Sequence, residues 1–300
     1  LVTEFKDIEN IVLWDLGNEC NCMGQVNDPQ TAYIWTMTVR NAICAVDSSR
    51  PISSGMHSLQ EDGESVWSIK NQGELCDMMT THPYPSPTIK NDIDPMNKMR
   101  STIFPTAQSE FYSSVSGKPC MIQEQGSFSD LAGTPEMSAD FARVNILSAW
   151  ANGFKGYLWW CGMEHTLLEQ PPYNWSMIER SLGMVHLDRT PKPIGEAFKK
   201  VSEVIKSLPE TRNNKVDAVC YLTDFSRQDK AMISYVLAKQ AGINIEFRVF
   251  GDKVPDTDLI IVPSCHGAEF FNKQICDDIF EKVKNGATLY MSAAAIHMCY

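Results

Sequence analysis

Two glutamates each stand directly after an apolar, strand-like run of the sequence. Glu19 ends the segment 10–19 (NIVLWDLGNE), and Glu124 ends the segment 120–124 (CMIQE). A charged side chain at such a place is costly to bury unless it has partners or a function. Two carboxyl groups, one protonated and one ionised, can cleave a glycosidic bond with retention when they lie about 5–5.5 Å apart. Both would then have to project from one end of a shared scaffold.

The elements around the two glutamates alternate between strands and helices. The sequence predicts strands at 10–15, 51–56, 75–81, 120–124 and 156–161. It predicts helices at 28–45, 63–73, 134–153 and 194–206, and a Pro- and Asp-rich loop over 85–95 with no helix assigned before the fourth strand. This alternation is typical of a parallel sheet with helical crossovers. Where such a sheet closes into a barrel, the functional side chains lie at the carboxyl ends of the strands. Both glutamates are expected there.

The segments that carry the glutamates resemble motifs of the clan A glycoside hydrolases. The run 12–19 (VLWDLGNE) is similar to the acid/base motif at the end of the fourth strand of that clan's (β/α)8 barrel. The resemblance implies that Asn18 contacts the sugar 2-hydroxyl and that Glu19 is the acid/base. The run 118–126 (KPCMIQEQG) resembles the nucleophile motif at the end of the seventh strand, which assigns Glu124 as the nucleophile.

Two further segments extend the resemblance in the same order. His82 and Tyr84 match the sixth-strand positions, where the Tyr hydroxyl usually contacts the nucleophile, although both could also be polar residues of a Pro-rich turn. The run 156–160 (GYLWW) resembles the eighth strand, whose Trp forms the floor of the sugar site. Trp159 and Trp160 should point to opposite faces of that strand, so one is expected to pack against a helix. We favour Trp160 as the sugar platform, because an indole face suits the C–H face of a pyranose.

The resemblance covers residues 1–206 and includes barrel strands four to eight. We therefore expect the sequence to be an excerpt of a longer protein, and residues 1–300 made alone to lack full hydrolytic activity, because five strands cannot reproduce the tilt and stagger of eight.

A second α/β series follows a polar, proline-containing boundary at 207–215. Its predicted strands are 216–222, 243–249, 257–262 and 287–292, and its predicted helices are 227–241 and 269–285. This pattern predicts part of a doubly wound, flavodoxin-like domain over 216–300. The region resembles the trimerisation domain that follows the barrel in family 42 β-galactosidases, which implies a homo-oligomer.

One pair in the second series invites a different chemistry. Cys265 and His266 follow a predicted strand, and a Cys-His pair is the nucleophile of Cys-dependent amidases. The sheet also resembles that of class I glutamine amidotransferases, but there the Cys stands on a later G-x-C-x-G elbow. Adjacent residues at a strand end do not readily bring their side chains together, so catalysis by Cys265 is not expected.

Composition excludes several classes of partner. The net charge of −11 is unsuited to nucleic acid, which needs concentrated Lys and Arg. No apolar run reaches the roughly 18 residues of a membrane span. Cys20 and Cys22 lack a second pair at zinc-finger spacing, so no zinc site is predicted. Most of the ten cysteines lie in apolar segments, which favours a reducing compartment and a cytoplasmic location.

The sequence therefore predicts a retaining β-glycosidase with a carbohydrate substrate and, as the resemblance implies, no metal or cofactor. The second series favours a β-galactosidase-like activity, and a β-mannosidase or β-glucanase of the same clan is the alternative. A catalytically decayed, carbohydrate-binding barrel is a hypothesis of another class. The presence of both glutamates together with Asn18 and Tyr84 argues against decay.

Overall fold

A computed structural model describes residues 1–61, 65–84, 96–127, 133–209, 215–223, 228–265 and 272–293. The chain divides into two compact units. One comprises Leu1–Thr80, Glu110–Cys120 and Lys215–Tyr300, and the other comprises Thr81–Ser109 and Met121–Asn214. Within the described ranges, no helix has both the length and the apolar character needed to cross a membrane.

Five short strands follow one another in the first part of the chain. They are β1 (Trp14–Asp15), β2 (Ile52–Ser53), β3 (Met79–Thr81), β4 (Cys120–Gln125) and β5 (Tyr157–Trp159). The pairs β1–β2 and β4–β5 are parallel, and β3, β4 and β5 form one sheet in that order. A parallel bridge from Ser53 to Met78 links β2 to the residue before β3. Neighbours in space are thus neighbours in sequence, which is the arrangement of a (β/α)8 barrel.

Helices precede, connect and follow these strands. They are α1 (Val2–Phe5), α2 (Cys20–Met23), α3 (Pro29–Cys44), α4 (Ile69–Leu75), α5 (Met99–Ser116), α6 (Pro135–Ala151), α7 (Met177–Arg180) and α8 (Pro193–Ser207). The Asp28 side chain accepts from the Thr31 N–H at 2.8 Å, and Thr134 accepts from the Met137 N–H at 3.3 Å. The caps predicted for α3 and α6 are therefore confirmed.

Several elements differ from the sequence prediction, including β2, which is shorter than predicted, and β3, which begins at Met79 and not at residue 75. The first strand is paired only over Trp14–Asp15, and within its predicted range the Ile11 carbonyl accepts from the Arg50 Nε–H at 2.8 Å. The helix predicted at 63–73 begins at Ile69, where the Ser68 hydroxyl caps it. Helix α5 was not predicted at all, and the loop expected over 85–95 lies outside the described residues.

The last part of the chain forms a second parallel sheet. Its elements are β6 (Ala218–Leu222), α9 (Gln228–Gln240), β7 (Ile245–Val249), β8 (Leu259–Cys265), α10 (Lys273–Lys284) and β9 (Thr288–Ala293). The strand order is β7-β6-β8-β9, and all pairings are parallel. Tyr221, Ile260 and Val262 of the sheet pack on Ile275 and Ile279 of α10. Every strand of the second series was predicted at its observed place to within three residues.

Candidate active site

Glu124 lies near the carboxyl end of β4 and has polar contacts from the segment that follows β3. The Tyr84 hydroxyl donates a hydrogen bond to Glu124 Oε1 at 2.5 Å. The Nδ1 atom of His82 lies 3.7 Å from Glu124 Oε2, and the His82 side chain is fully buried. The contact that the resemblance implied between a tyrosine hydroxyl and this carboxylate is therefore present in the structure.

The orientation of His82 follows from its second contact. Its Nε2 atom lies 3.1 Å from Oε1 of Gln123, the residue before Glu124. With Nε2 against Gln123, the Nδ1 edge of the ring faces the Glu124 carboxylate. Tyr84 is held in a tight turn in which its N–H donates to the His82 carbonyl at 3.0 Å. Both side chains are thus directed at the same carboxyl group.

A glycine makes room for the Tyr84 ring. A Cβ atom on Gly126 would lie 2.8 Å from Tyr84 Cε1 and 3.1 Å from the carbonyl oxygen of Trp160. Ordinary side-chain carbons do not approach so closely, and the rigid ring could move only by leaving its contact with Glu124. Gly126 was part of the motif quoted for this strand, but its steric role emerges only from the packing.

Glu19 lies in the other unit, at the end of β1. It adopts a left-handed conformation with φ 50° and ψ 38°, which is uncommon for a residue other than glycine. Its N–H donates to the Gly55 carbonyl at 2.7 Å. The backbones are close here, since a Cβ on Gly55 (φ 63°) would lie 2.0 Å from the Gly17 oxygen. The segment that follows β2 therefore holds the backbone of Glu19 in place, whereas Asn18 before it is exposed.

A histidine that the sequence analysis did not select lies beside Glu19. The Nε2 atom of His57 is 3.7 Å from Glu19 Oε2 and 3.1 Å from the Cys22 sulfur. His57 follows the predicted strand 51–56 directly, so its position at a strand end was a signal that could have identified it. Burial, and then the charge of Glu19, raises the pKa of the Cys22 thiol, which is therefore protonated at neutral pH.

The two tryptophans at the end of β5 have different surroundings. Trp159 is buried, and its ring centroid lies 5.9 Å from that of Phe198 on α8. Trp160 is half-buried, and its indole N–H donates to Glu179 at 3.4 Å. The ring of His165 meets that of Trp160 edge-on at 6.0 Å. Of the two, Trp160 is the one that retains accessible ring surface.

The Cys265 site provides no activated thiol. Burial, and then the neighbouring Cys276, raises the pKa of Cys265. A protonated thiol is a poor nucleophile. His266, the next residue in the sequence, lies outside the described residues.

Comparison with known proteins gives structural matches alone. No protein-family model matches the chain, and no curated protein matches it by sequence. An exo-β-1,4-mannosidase from Opitutaceae bacterium strain TAV5 is similar in structure, with a TM-score of 0.77 and 18% identity. A GH5_18 structure from Streptomyces cattleya in complex with GlcNAc has a TM-score of 0.72 and 14% identity. A β-galactosidase from the Antarctic haloarchaeon Halorubrum lacusprofundi has a TM-score of 0.64 and 10% identity.

The matches cover most of this chain but only part of those proteins. The chain is covered to 97%, 97% and 88% in the three cases, and it spans 55%, 68% and 40% of the other chain. At such low identities the similarity establishes the α/β barrel fold and nothing finer.

Proposed function

We propose that this chain carries the catalytic residues of a retaining β-glycosidase of clan A. The hydrogen bond from Tyr84 to Glu124, at 2.5 Å, is the observation on which the proposal rests. A donor of this kind fixes the orientation of a carboxylate oxygen. Glu124 is then the nucleophile and Glu19 the acid/base. The names of the structurally similar proteins, which are glycosidases, support this class of reaction.

The proposed reaction proceeds by double displacement. Glu19 gives its proton to the departing glycosidic oxygen while Glu124 attacks the anomeric carbon, and a glycosyl–enzyme ester forms. Glu19 then takes a proton from water, the water oxygen attacks the same carbon, and the Glu124 carboxylate leaves. In this scheme Asn18 contacts the sugar 2-hydroxyl, and Trp160 forms the platform under the ring. His82 and Tyr84 keep the nucleophile in place.

The identity of the sugar is a separate proposal. A β-galactoside is the first candidate, because residues 216–300 resemble the flavodoxin-like trimerisation domain that follows the barrel in family 42 β-galactosidases. A β-mannoside is the second candidate, because the mannosidase covers more of the chain and has a higher TM-score than the β-galactosidase. Initial rates on nitrophenyl β-galactoside, β-mannoside and β-glucoside would rank these substrates. Sugar binding without hydrolysis of any of them would instead support a decayed barrel.

The assignment of Glu124 is tested by covalent labelling of the full-length protein. A 2-deoxy-2-fluoro glycoside of the preferred sugar should form a stable ester with Glu124, which peptide mass spectrometry would locate. Glu124→Gln should abolish turnover without unfolding, because the amide cannot attack. Glu136→Gln, at an exposed position of α6, is the matched control and should retain activity. Labelling of a different carboxylate would refute the assignment.

A further inference from the structure

Gln125 is a fully buried amide directly after the proposed nucleophile. Its side chain has 0% exposure. Gln125 is in register with Trp159 of β5, whose ring packs on Phe198 of α8, so Gln125 faces the same helical layer, beyond an irregularity in β4 between Ile122 and Gln125. Tyr157 of β5 contacts it there, and the Tyr157 ring lies 5.9 Å from that of Phe198 on α8. An amide in such a layer is unfavourable unless both its ends are hydrogen-bonded.

Both ends of this amide have partners, and these partners fix its orientation. The carbonyl of Pro83 lies 3.4 Å from the Gln125 amide nitrogen. A carbonyl oxygen only accepts, so the NH₂ group must face Pro83 and Oε1 must face Tyr157. The Tyr157 hydroxyl therefore donates to Oε1. Burial raises the pKa of Tyr157 well above its usual value, so the hydroxyl keeps the proton that it donates.

We infer that Gln125 is a positioning residue for Tyr84, and that it acts by holding the carbonyl of Pro83. Three consecutive residues of β4 and its end contact three consecutive residues after β3. Glu124 contacts His82 and Tyr84, Gln125 contacts Pro83, and Gly126 abuts the Tyr84 ring. Tyr157 holds the Gln125 amide, and this amide holds the carbonyl of Pro83, the residue before Tyr84. The position of the Pro83 carbonyl fixes the backbone of Tyr84 and therefore the place where the Tyr84 hydroxyl reaches the carboxylate. The inference rests on the proposed function, since it gives the Tyr84–Glu124 contact a catalytic purpose.

The kinetic test compares Gln125→Met with the unmodified full-length protein. Methionine has a similar length but no amide, so the Pro83 carbonyl loses its donor. We expect kcat to fall about 10- to 100-fold, because a displacement near 1 Å at a reacting group has an effect of that order. KM should change by roughly twofold or less, because the sugar platform is untouched. Tyr157→Phe, which keeps the Gln125 side chain in place, should give a smaller fall in kcat and remains informative if Gln125→Met fails to fold.

The control removes a similar buried hydrogen bond that does not contact the 82–84 segment. The Ser127 hydroxyl is bonded to Ser138 at 2.8 Å, and Ser138→Ala should leave kcat within about twofold. In a Tyr84→Phe background, Gln125→Met should have no further effect on kcat, because its effect passes through the Tyr84 hydroxyl. Equal falls in kcat with and without Tyr84 would overturn the inference.

A measurement independent of turnover separates this inference from the proposed function. In protein labelled with ¹³C at the tyrosine Cζ, the Tyr84 resonance is assigned by its loss in Tyr84→Phe. It should shift in Gln125→Met and in Tyr157→Phe, and should remain unchanged in Ser138→Ala. An unchanged Tyr84 resonance in Gln125→Met refutes the positioning role. Normal shifts in a protein that hydrolyses no glycoside would refute the proposed function and leave the positioning role intact.

Discussion

The backbone of Glu19 is held in a conformation that glutamate rarely adopts. A left-handed residue other than glycine is destabilising by roughly 1–3 kcal/mol, and it persists only where the surroundings enforce it. Here the Glu19 N–H is bonded to Gly55, and His57 lies beside the carboxylate. Such strain is common at sites whose geometry matters for function. This observation motivates a test of Glu19 by its chemistry.

Glu19→Ala should affect substrates according to their leaving groups. Poor leaving groups need protonation, whereas dinitrophenolate departs without it. We therefore expect the variant to retain most activity on dinitrophenyl glycosides and to lose about 100-fold or more on unactivated ones. Azide should accelerate the variant, because this anion attacks the glycosyl–enzyme without base assistance. Glu74→Ala, at an exposed position of α4, is the control. Equal losses on all leaving groups, without azide rescue, would contradict the assignment.

At the scale of elements, a buried ion pair anchors β1, the strand that precedes Glu19. Asp47 accepts from the Trp14 indole at 2.8 Å and from Arg50 at 2.6 Å. Hydrogen bonds from the Ser49 side chain, and then from Trp14, hold the pKa of the Asp47 carboxyl well below its usual range. Arg50 in turn binds three carbonyls of the segment before β1. The two-residue strand β1 is thus held in place by these side-chain hydrogen bonds as well as by its backbone pairing with β2.

Asp47→Asn should lower the unfolding temperature at neutral pH. Because the folded-state pKa of Asp47 is depressed, its contribution to stability is complete above the unfolded pKa of about 3.9 and is lost as the pH falls below it. The difference between variant and unmodified protein should therefore narrow below about pH 4. Thermal unfolding between about pH 3 and pH 7 measures this difference. Asp140→Asn breaks an exposed Asp–Arg pair and is the matched control. A difference that is constant over the whole pH range would contradict the role of Asp47.

At the scale of the whole molecule, the second sheet shares a compact unit with the first strands of the barrel. Phe111 of α5 packs edge-on against Phe247 of β7, with ring centroids 5.4 Å apart. The ring of Tyr235 of α9 is stacked on that of Phe247, with ring centroids 6.3 Å apart. Lys70 of α4 also forms an ion pair with Asp252 at 2.7 Å. The described residues of the second sheet and its helices therefore pack into the core of this unit.

Phe247→Ala should destabilise the protein strongly. The ring is fully buried, and removing a buried phenylalanine lowers the free energy of unfolding by about 3–5 kcal/mol. Phe280→Ala on α10 is the matched control, because that ring is 54% exposed, and it should change the value by about 0.5 kcal/mol or less. Urea denaturation of the two variants measures both values. Similar small losses would mean that the second sheet is not packed into this unit.

Most elements were predictable because their signals are local. The caps at Asp28 and Thr134 and the apolar runs of β6 to β9 act within a few residues. Helix α5 was missed because it contains Pro105, a residue typical of loops, and because it buries polar as well as apolar side chains. Ser109 and Thr106 are accommodated through bonds to Thr81 and Ser148, at 2.7 and 2.5 Å. A helix that buries polar side chains beside apolar ones shows only a weak hydrophobic period, and the partners of its polar groups lie elsewhere in the chain.

The sequence by itself determined which groups have the chemistry: two glutamates after strands, and a His-Pro-Tyr segment after another. Only the tertiary structure decided how the residues around them act. His57 lies beside Glu19 although 38 positions separate them in sequence, and the hydrogen bond from Gln125 to Pro83 spans 42 positions. The steric role of Gly126 likewise depends on the ring of Tyr84. Residue type sets what a group can donate, accept or attack, whereas its partner is set by the packing of distant strands, which no local pattern encodes.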